Sequence, residues 1–164
     1  MCIRDSARIT RMSFASAQAS FWIFSGLMGL SLSYIFLAYT GTSIARVFLI
    51  TSGSFGALSL FGYTTKKDLS AWGAFLFMGL IGIILASIVN IFIGSSGMQF
   101  GISVLGVLIF AGFTAYDTQQ IKQIYYQGDS ADVSGRKAIM GALRLYLDFI
   151  NLFILLIQLF GSRR

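Results

Sequence analysis

Residues 70–93 read SAWGAFLFMGLIGIILASIVNIFI, with no charged side chain from end to end. A helix of about 20 such residues crosses the roughly 30 Å hydrocarbon core of a bilayer. The stretch lacks the period-two alternation of an outer-membrane strand and has about twice the ~10 residues such a strand uses. A helix satisfies its own backbone hydrogen bonds in lipid, so a transmembrane helix is the expected form. Outward from this segment, the stretches 15–39, 44–63, 98–120 and 138–160 read the same way. The predicted fold is an all-α integral membrane protein, a bundle of five transmembrane helices over 15–164 behind a polar leader, 1–14.

Composition agrees and narrows the chemistry. The chain has 164 residues, 56% hydrophobic and only 11% charged, against about a quarter charged in soluble domains. It contains no histidine, glutamate or proline, so histidine-built zinc sites and Ser/His/Asp triads lack their parts. An enzyme is not expected, nor is any cofactor. The lone Cys2 has no partner for a disulfide or a CxxC pair. The net charge of +6 falls between apolar runs rather than along a basic stripe, so no nucleic-acid partner is read from it.

The connections alternate in character. Residues 40–43 and 94–97 are short and uncharged, whereas 64–69 and 121–137 carry Lys66, Lys67, Lys122, Arg136 and Lys137. With Arg4, Arg8 and Arg11 in the leader, the positive-inside rule puts the leader and both charged loops in the cytoplasm and the C-terminus outside, against the mild contrary pull of Arg163 and Arg164. Tyr63, Trp72, Tyr125 and Tyr126 sit where aromatic anchors would. The pairs Ser25/Gly29, Gly29/Ser33, Ser52/Gly56 and Gly53/Ala57 have the small-xxx-small spacing of close helix contacts. Without proline, one usual cause of a broken helix is absent. The leader starts abruptly and joins a stretch that reads like an inter-helix loop, so an N-terminally truncated or artificially joined chain is expected.

Two carboxylates stand out. Asp117 lies near the end of the fourth helix on a face with Ser103, Gly106, Phe110, Thr114 and Gln120. Asp148 lies in the middle of the fifth on a stripe with Gly141, Arg144, Asn151 and Leu155. A charge in hydrocarbon is expensive, so such residues usually face the bundle interior and mark pathways or relays. If the two meet, they hold one proton between two oxygens: a latch closed by a shared hydrogen bond and opened by repulsion when both ionise. Both ionised, they offer hard oxygens of the kind Ca²⁺ takes. The plainer readings are a local Arg144–Asp148 ion pair, Asp117 bonded to Gln120 or Tyr116, Asn90 as inter-helix glue, and Lys66, Lys67 and Asp68 as a solvated loop.

The motifs GFTAYDTQQI at 112–121 and LRLYLDFINLF at 143–153, with GLMGLSLSYIFLAYTGTSIARVF near the start, resemble the Bax-inhibitor family in its bacterial YccA-like branch. The resemblance runs from about residue 8 onward. It implies the last five helices of a seven-helix fold, and a pH-sensitive Ca²⁺ leak whose sensor aspartates fall on Asp117 and Asp148. The family's latch arginine has no match in this chain; Arg144 is the nearest substitute. Partners implied are the lipid bilayer, Ca²⁺ or protons and, in a regulatory alternative, a membrane protease; the bacterial inner membrane is the implied location. A proton-coupled carrier is a third reading, without the inverted repeats that would favour it.

Overall fold

The computed structural model describes residues 13–124, 128 and 130–163. Its helices are α1 (Phe14–Ser31), α2 (Tyr34–Ala38), α3 (Gly41–Thr64), α4 (Ser70–Ile93), α5 (Ser96–Ile124) and α6 (Ala131–Phe160). Five helical segments are long and apolar enough to cross a membrane, the first being α1 and α2 together, Phe14–Ala38. The expected five-helix bundle is therefore present. The leader falls almost wholly outside the described residues, as do Tyr125 and Tyr126.

Three boundaries differ from expectation. The first span breaks at Leu32 and Ser33 although it contains no proline. The Ser31 hydroxyl donates to the Leu27 carbonyl at 2.9 Å and that of Ser33 to the Leu30 carbonyl at 2.7 Å. Such side-chain bonds compete with the helical ladder and bend it. The fourth span runs on to Ile124, and the fifth begins at Ala131 rather than 138. Within the expected connection 121–137, residues 121–124 and 131–137 are thus helix. Ser130 caps α6 by accepting from Val133 N–H, and Asp132 pairs with Arg136 one turn on, at 3.3 Å. This first turn is polar because it stands beyond the apolar core: 30 residues make a helix of about 45 Å, longer than the bilayer's hydrocarbon.

Helices α5 and α6 pack on each other along their length, α3 lies against both, α4 leans on α5, and α1 touches α6. Hydrophobic transfer drives none of this in lipid, so close van der Waals contact has to hold the bundle together. The α4–α5 seam shows how. A Cβ on Gly112 of α5 would come within 2.6 Å of Leu76, while Gly73 and Gly79 of α4 receive Tyr116 and Ile109, each at 2.7 Å. Gly62 of α3 abuts the backbone of Ala115 on α5. By contrast, Gly29, Gly53 and Gly56 face open space, so the small-xxx-small stripes of the first two spans are not where these helices touch. A core of Ile35, Tyr39, Val47, Leu152, Phe153, Leu156 and Ile157 fills the end carrying the short turns. Outward faces expose large apolar side chains such as Phe92 (86%) and Leu37 (79%), as suits an apolar solvent.

The two ends of the bundle are unlike. At one, Lys122 donates to the Tyr63 carbonyl at 2.9 Å and lies 4.6 Å over its ring. Asp68, on the same side, accepts from Ser70 at 3.0 Å, and these bonds hold its carboxyl below the usual carboxylate range. At the other end, Gly94 stops α4 in the left-handed conformation glycine takes without cost (φ +67°). There the C-terminal tail pairs with the first turn: Thr40 N–H donates to Ser162 O at 3.1 Å, and Ser162 N–H to Ser43 Oγ at 2.9 Å. The tail therefore lies at the end away from the charged connections, as five crossings require.

The contrast among glycines is testable. Gly62→Ala should push α3 off α5 and destabilise the bundle by about 2 kcal/mol, whereas Gly56→Ala should not. Thermal unfolding in detergent, followed by circular dichroism, should show a clear drop in midpoint for the first variant alone.

Candidate functional site

Helices α4, α5 and α6 border a half-open cavity of about 630 Å³. Its α4 wall is apolar, from Phe77, Leu80 and Ile84; its opposite wall carries Asp117 of α5 with Arg144, Asp148 and Asn151 of α6. The three polar residues of α6 are three or four apart, so one face presents them all. Asp117 is half-buried, while Asp148 is only 6% exposed.

Asp148 and Asp117 line the same cavity from adjacent helices. The buried Oδ2 of Asp148 receives no hydrogen from any donor among the described residues. Ionised carboxylates only accept, so a bond between these two groups requires a proton on one of them. Arg144 lies in the same cavity and its charge acts on Asp148. It nevertheless makes no ion pair there: the pair formed between described residues is Arg136–Asp132, at the charged end. The expected local Arg144–Asp148 bridge is therefore not formed. Arginine four residues before an acid is the less favourable helical order, which is consistent with this. The cavity is thus lined by two carboxyls and by a guanidinium that bridges neither.

The remaining expected residues are divided. Asn151 and Tyr116 line the cavity. The Asn151 amide donates back to the Leu147 carbonyl at 2.8 Å, leaving its oxygen toward other partners. Thr114 is fully buried and its hydroxyl is used on the Phe110 carbonyl at 2.9 Å. Gln120 reaches Ser70 Oγ at 3.4 Å, and neither it nor Tyr116 bonds Asp117. Asn90 does act as glue, accepting from Ser95 N–H at 3.1 Å and donating to Gln99 at 3.2 Å.

Sequence reasoning missed Gln119, two residues from Asp117. Its Nε2 donates to the Lys67 carbonyl at 2.7 Å and its Oε1 accepts from Leu69 N–H at 2.8 Å. A buried amide so placed mimics a backbone neighbour and clamps the α3–α4 connection to the end of α5. Its only signal in sequence is a glutamine two residues past Asp117, which is too little to find it.

Taken together, the molecule is a polytopic helical membrane protein with two carboxyl side chains lining a half-open cavity between its helices. Comparison with known proteins makes this specific: the family described as Inhibitor of apoptosis-promoting Bax1 matches residues 2–164. The chain belongs to the Bax-inhibitor family. It is similar to uncharacterized protein RP147 of Rickettsia prowazekii, 52% identical over 154 residues, covering 94% of this chain and 65% of that protein. It is 50% identical over 161 residues to the inner membrane protein YbhL of Escherichia coli K12, covering 97% of this chain and 69% of that protein. An uncharacterized protein of Borreliella burgdorferi is 48% identical over 160 residues, 97% of this chain and 69% of its own length. The chain thus spans about two thirds of the length of these relatives. With the five apolar helices, the inner membrane placement of one relative fits a multi-pass membrane location.

The Gln119 clamp predicts a local effect. Gln119→Ala removes two hydrogen bonds worth about 1 kcal/mol each and should free the 65–69 connection. Hydrogen exchange at the Leu69 amide should accelerate, while amides in the middle of α6 keep their protection.

Proposed function

We propose that this chain forms the conducting part of a pH-sensitive cation leak, with Asp117 and Asp148 as its sensor and Ca²⁺ as the favoured ion. One observation supports the reading: a buried carboxyl oxygen of Asp148, without a hydrogen-bond partner among the described residues, lies at a half-open cavity that Asp117 also lines. With one proton, the pair is joined by a hydrogen bond; without it, two negative charges face each other in a medium of low dielectric and repel. A proton thereby controls whether α5 and α6 are held together at this level.

Unprotonated, the same oxygens attract a cation. Ca²⁺ takes six to eight oxygen ligands. Two carboxylates, the Asn151 oxygen and water can offer some of these, fitting an ion in passage rather than a resident one. Arg144 tempers the negative field without closing it off. In this reading the connections carrying Lys66, Lys67 and Lys122 face the cytoplasm, with Asp117 nearer that side and Asp148 close to the middle of its helix.

The test is Ca²⁺ entry into liposomes followed by an enclosed dye, across mildly acidic to mildly alkaline pH. The parent chain should conduct with a rate that changes with pH. Asp117→Asn and Asp148→Asn should each lose that change, because an asparagine amide donates a hydrogen bond at every pH. No entry at any pH would move the reading to a membrane protein that acts by binding a partner such as a protease.

A further inference from the structure

Helix α6 carries polar groups at two levels of the face it turns toward its neighbours. Arg144, Asp148 and Asn151 line the cavity. Two turns beyond Asn151, Gln158 accepts from Gln99 Nε2 at 3.3 Å and from the Ser103 hydroxyl at 3.4 Å. Gln99 in turn accepts from Asn90, so α4, α5 and α6 all contribute to this second polar cluster. It lies at the end of the bundle with the short uncharged turns. Asn151 and Gln158 are about 10 Å apart along the helix.

Everything between the two levels is apolar. Residues 104–113 of α5 are VLGVLIFAGF, and residues 152–157 of α6 are LFILLI. The Thr114 hydroxyl, at the edge of this layer, is already used within its own helix. At the centre of the layer Leu155 is seated on Gly106: a Cβ there would stand 2.8 Å and 3.1 Å from its two methyl carbons. Leu155, Ile154 and Phe110 also line the cavity, so this contact borders it.

We propose that this layer is the closed gate of the path, with Leu155 as the plug and Gly106 as its seat. The inference rests on the leak reading above and adds the barrier that the sensor operates. A narrow apolar constriction sheds its water, and an ion does not cross a dry stretch of hydrocarbon side chains. The leucine comes this close to α5 because residue 106 has no side chain; a Cβ there would displace its methyl carbons from the seat. Asp148 and Leu155 are seven residues apart, two turns on one face of one rigid helix. A shift of α6 that follows separation of the carboxyls therefore carries Leu155 out of its seat. The charged groups facing the cavity, Asp117, Asp148 and Arg144, all lie on the sensor side of this plug.

Two readouts on the whole chain in liposomes test this. In the first, Leu155→Ala should raise Ca²⁺ entry several-fold at the pH where the parent is slowest, and Leu155→Met, which keeps the volume, should raise it less. In the second, Cys2→Ser chains carrying Asn151→Cys are exposed to a membrane-impermeant thiol reagent on the side of the uncharged turns, with Ser96→Cys chains marking that side. Asn151→Cys should be unreactive with Leu155 in place and become reactive once Leu155→Ala is added. If the parent conducts and Leu155→Ala changes neither readout, the gate is overturned while the leak stands. If no chain conducts but the reagent gains access to Asn151→Cys, the leak falls and the plug survives as a barrier to water. No change in either readout and no conduction would overturn both.

Discussion

The carboxyl of Asp148 has to be accommodated within a helix whose following turns are Leu152, Phe153, Leu156 and Ile157, all buried. An ionisable group at such depth costs at least about 2.5 kcal/mol if it faces lipid. The protein turns it instead to a half-open space bordered by α4, α5 and α6, which Asp117 also lines. The packing order serves this placement. Helix α6 is held by α1, α3 and α5 together, so its register against α5, which decides whether the carboxyls meet, is fixed from several sides. The glycine seams matter for the same reason. Where helices gain nothing from excluding water, sub-ångström fit is the available source of order.

The number and type of spans were legible because hydropathy reports what a lipid environment demands, residue by residue. The boundaries were less so. The polar turn 131–137 resembles a loop to any argument built on hydrophobicity, yet Ser130 with Asp132 carries the capping chemistry of a helix start. Attention to caps rather than to apolar length would have found it. The break at Leu32 and Ser33 has its cause in serine hydroxyls that bond backward, a signal diluted by serines elsewhere that do the same within intact helices, such as Ser52 and Ser87. The small-residue stripes misled because spacing shows that two backbones could approach, not that a partner is there.

At the site, helical periodicity was enough to place Asp148, Arg144 and Asn151 on one face, and the cost of buried charge was enough to turn that face inward. Whether Arg144 bridged Asp148 depended on side-chain geometry, which spacing leaves open, and the structure answers that it does not. Long-range contacts were beyond reach. Gln119 meets the 67–69 backbone from fifty residues away, and Gln158 meets Gln99 from 59 away; no local pattern encodes either. The resemblance to a known family and the physical search converged on Asp117 and Asp148 for independent reasons, one from motif and one from the energetics of charge in hydrocarbon.

The pairing of the C-terminal tail with the first turn bears on how the molecule is built. Ser162 grips Thr40 and Ser43, Tyr39 bridges to Arg163, and the Tyr39 ring lies 6.0 Å from the Arg163 guanidinium. These partners are more than a hundred residues apart in sequence. During synthesis the turn between α2 and α3 therefore stays unfastened until the stretch that follows α6 has emerged. Fastening this end of the bundle is a late event, like a strap buckled across windings already laid.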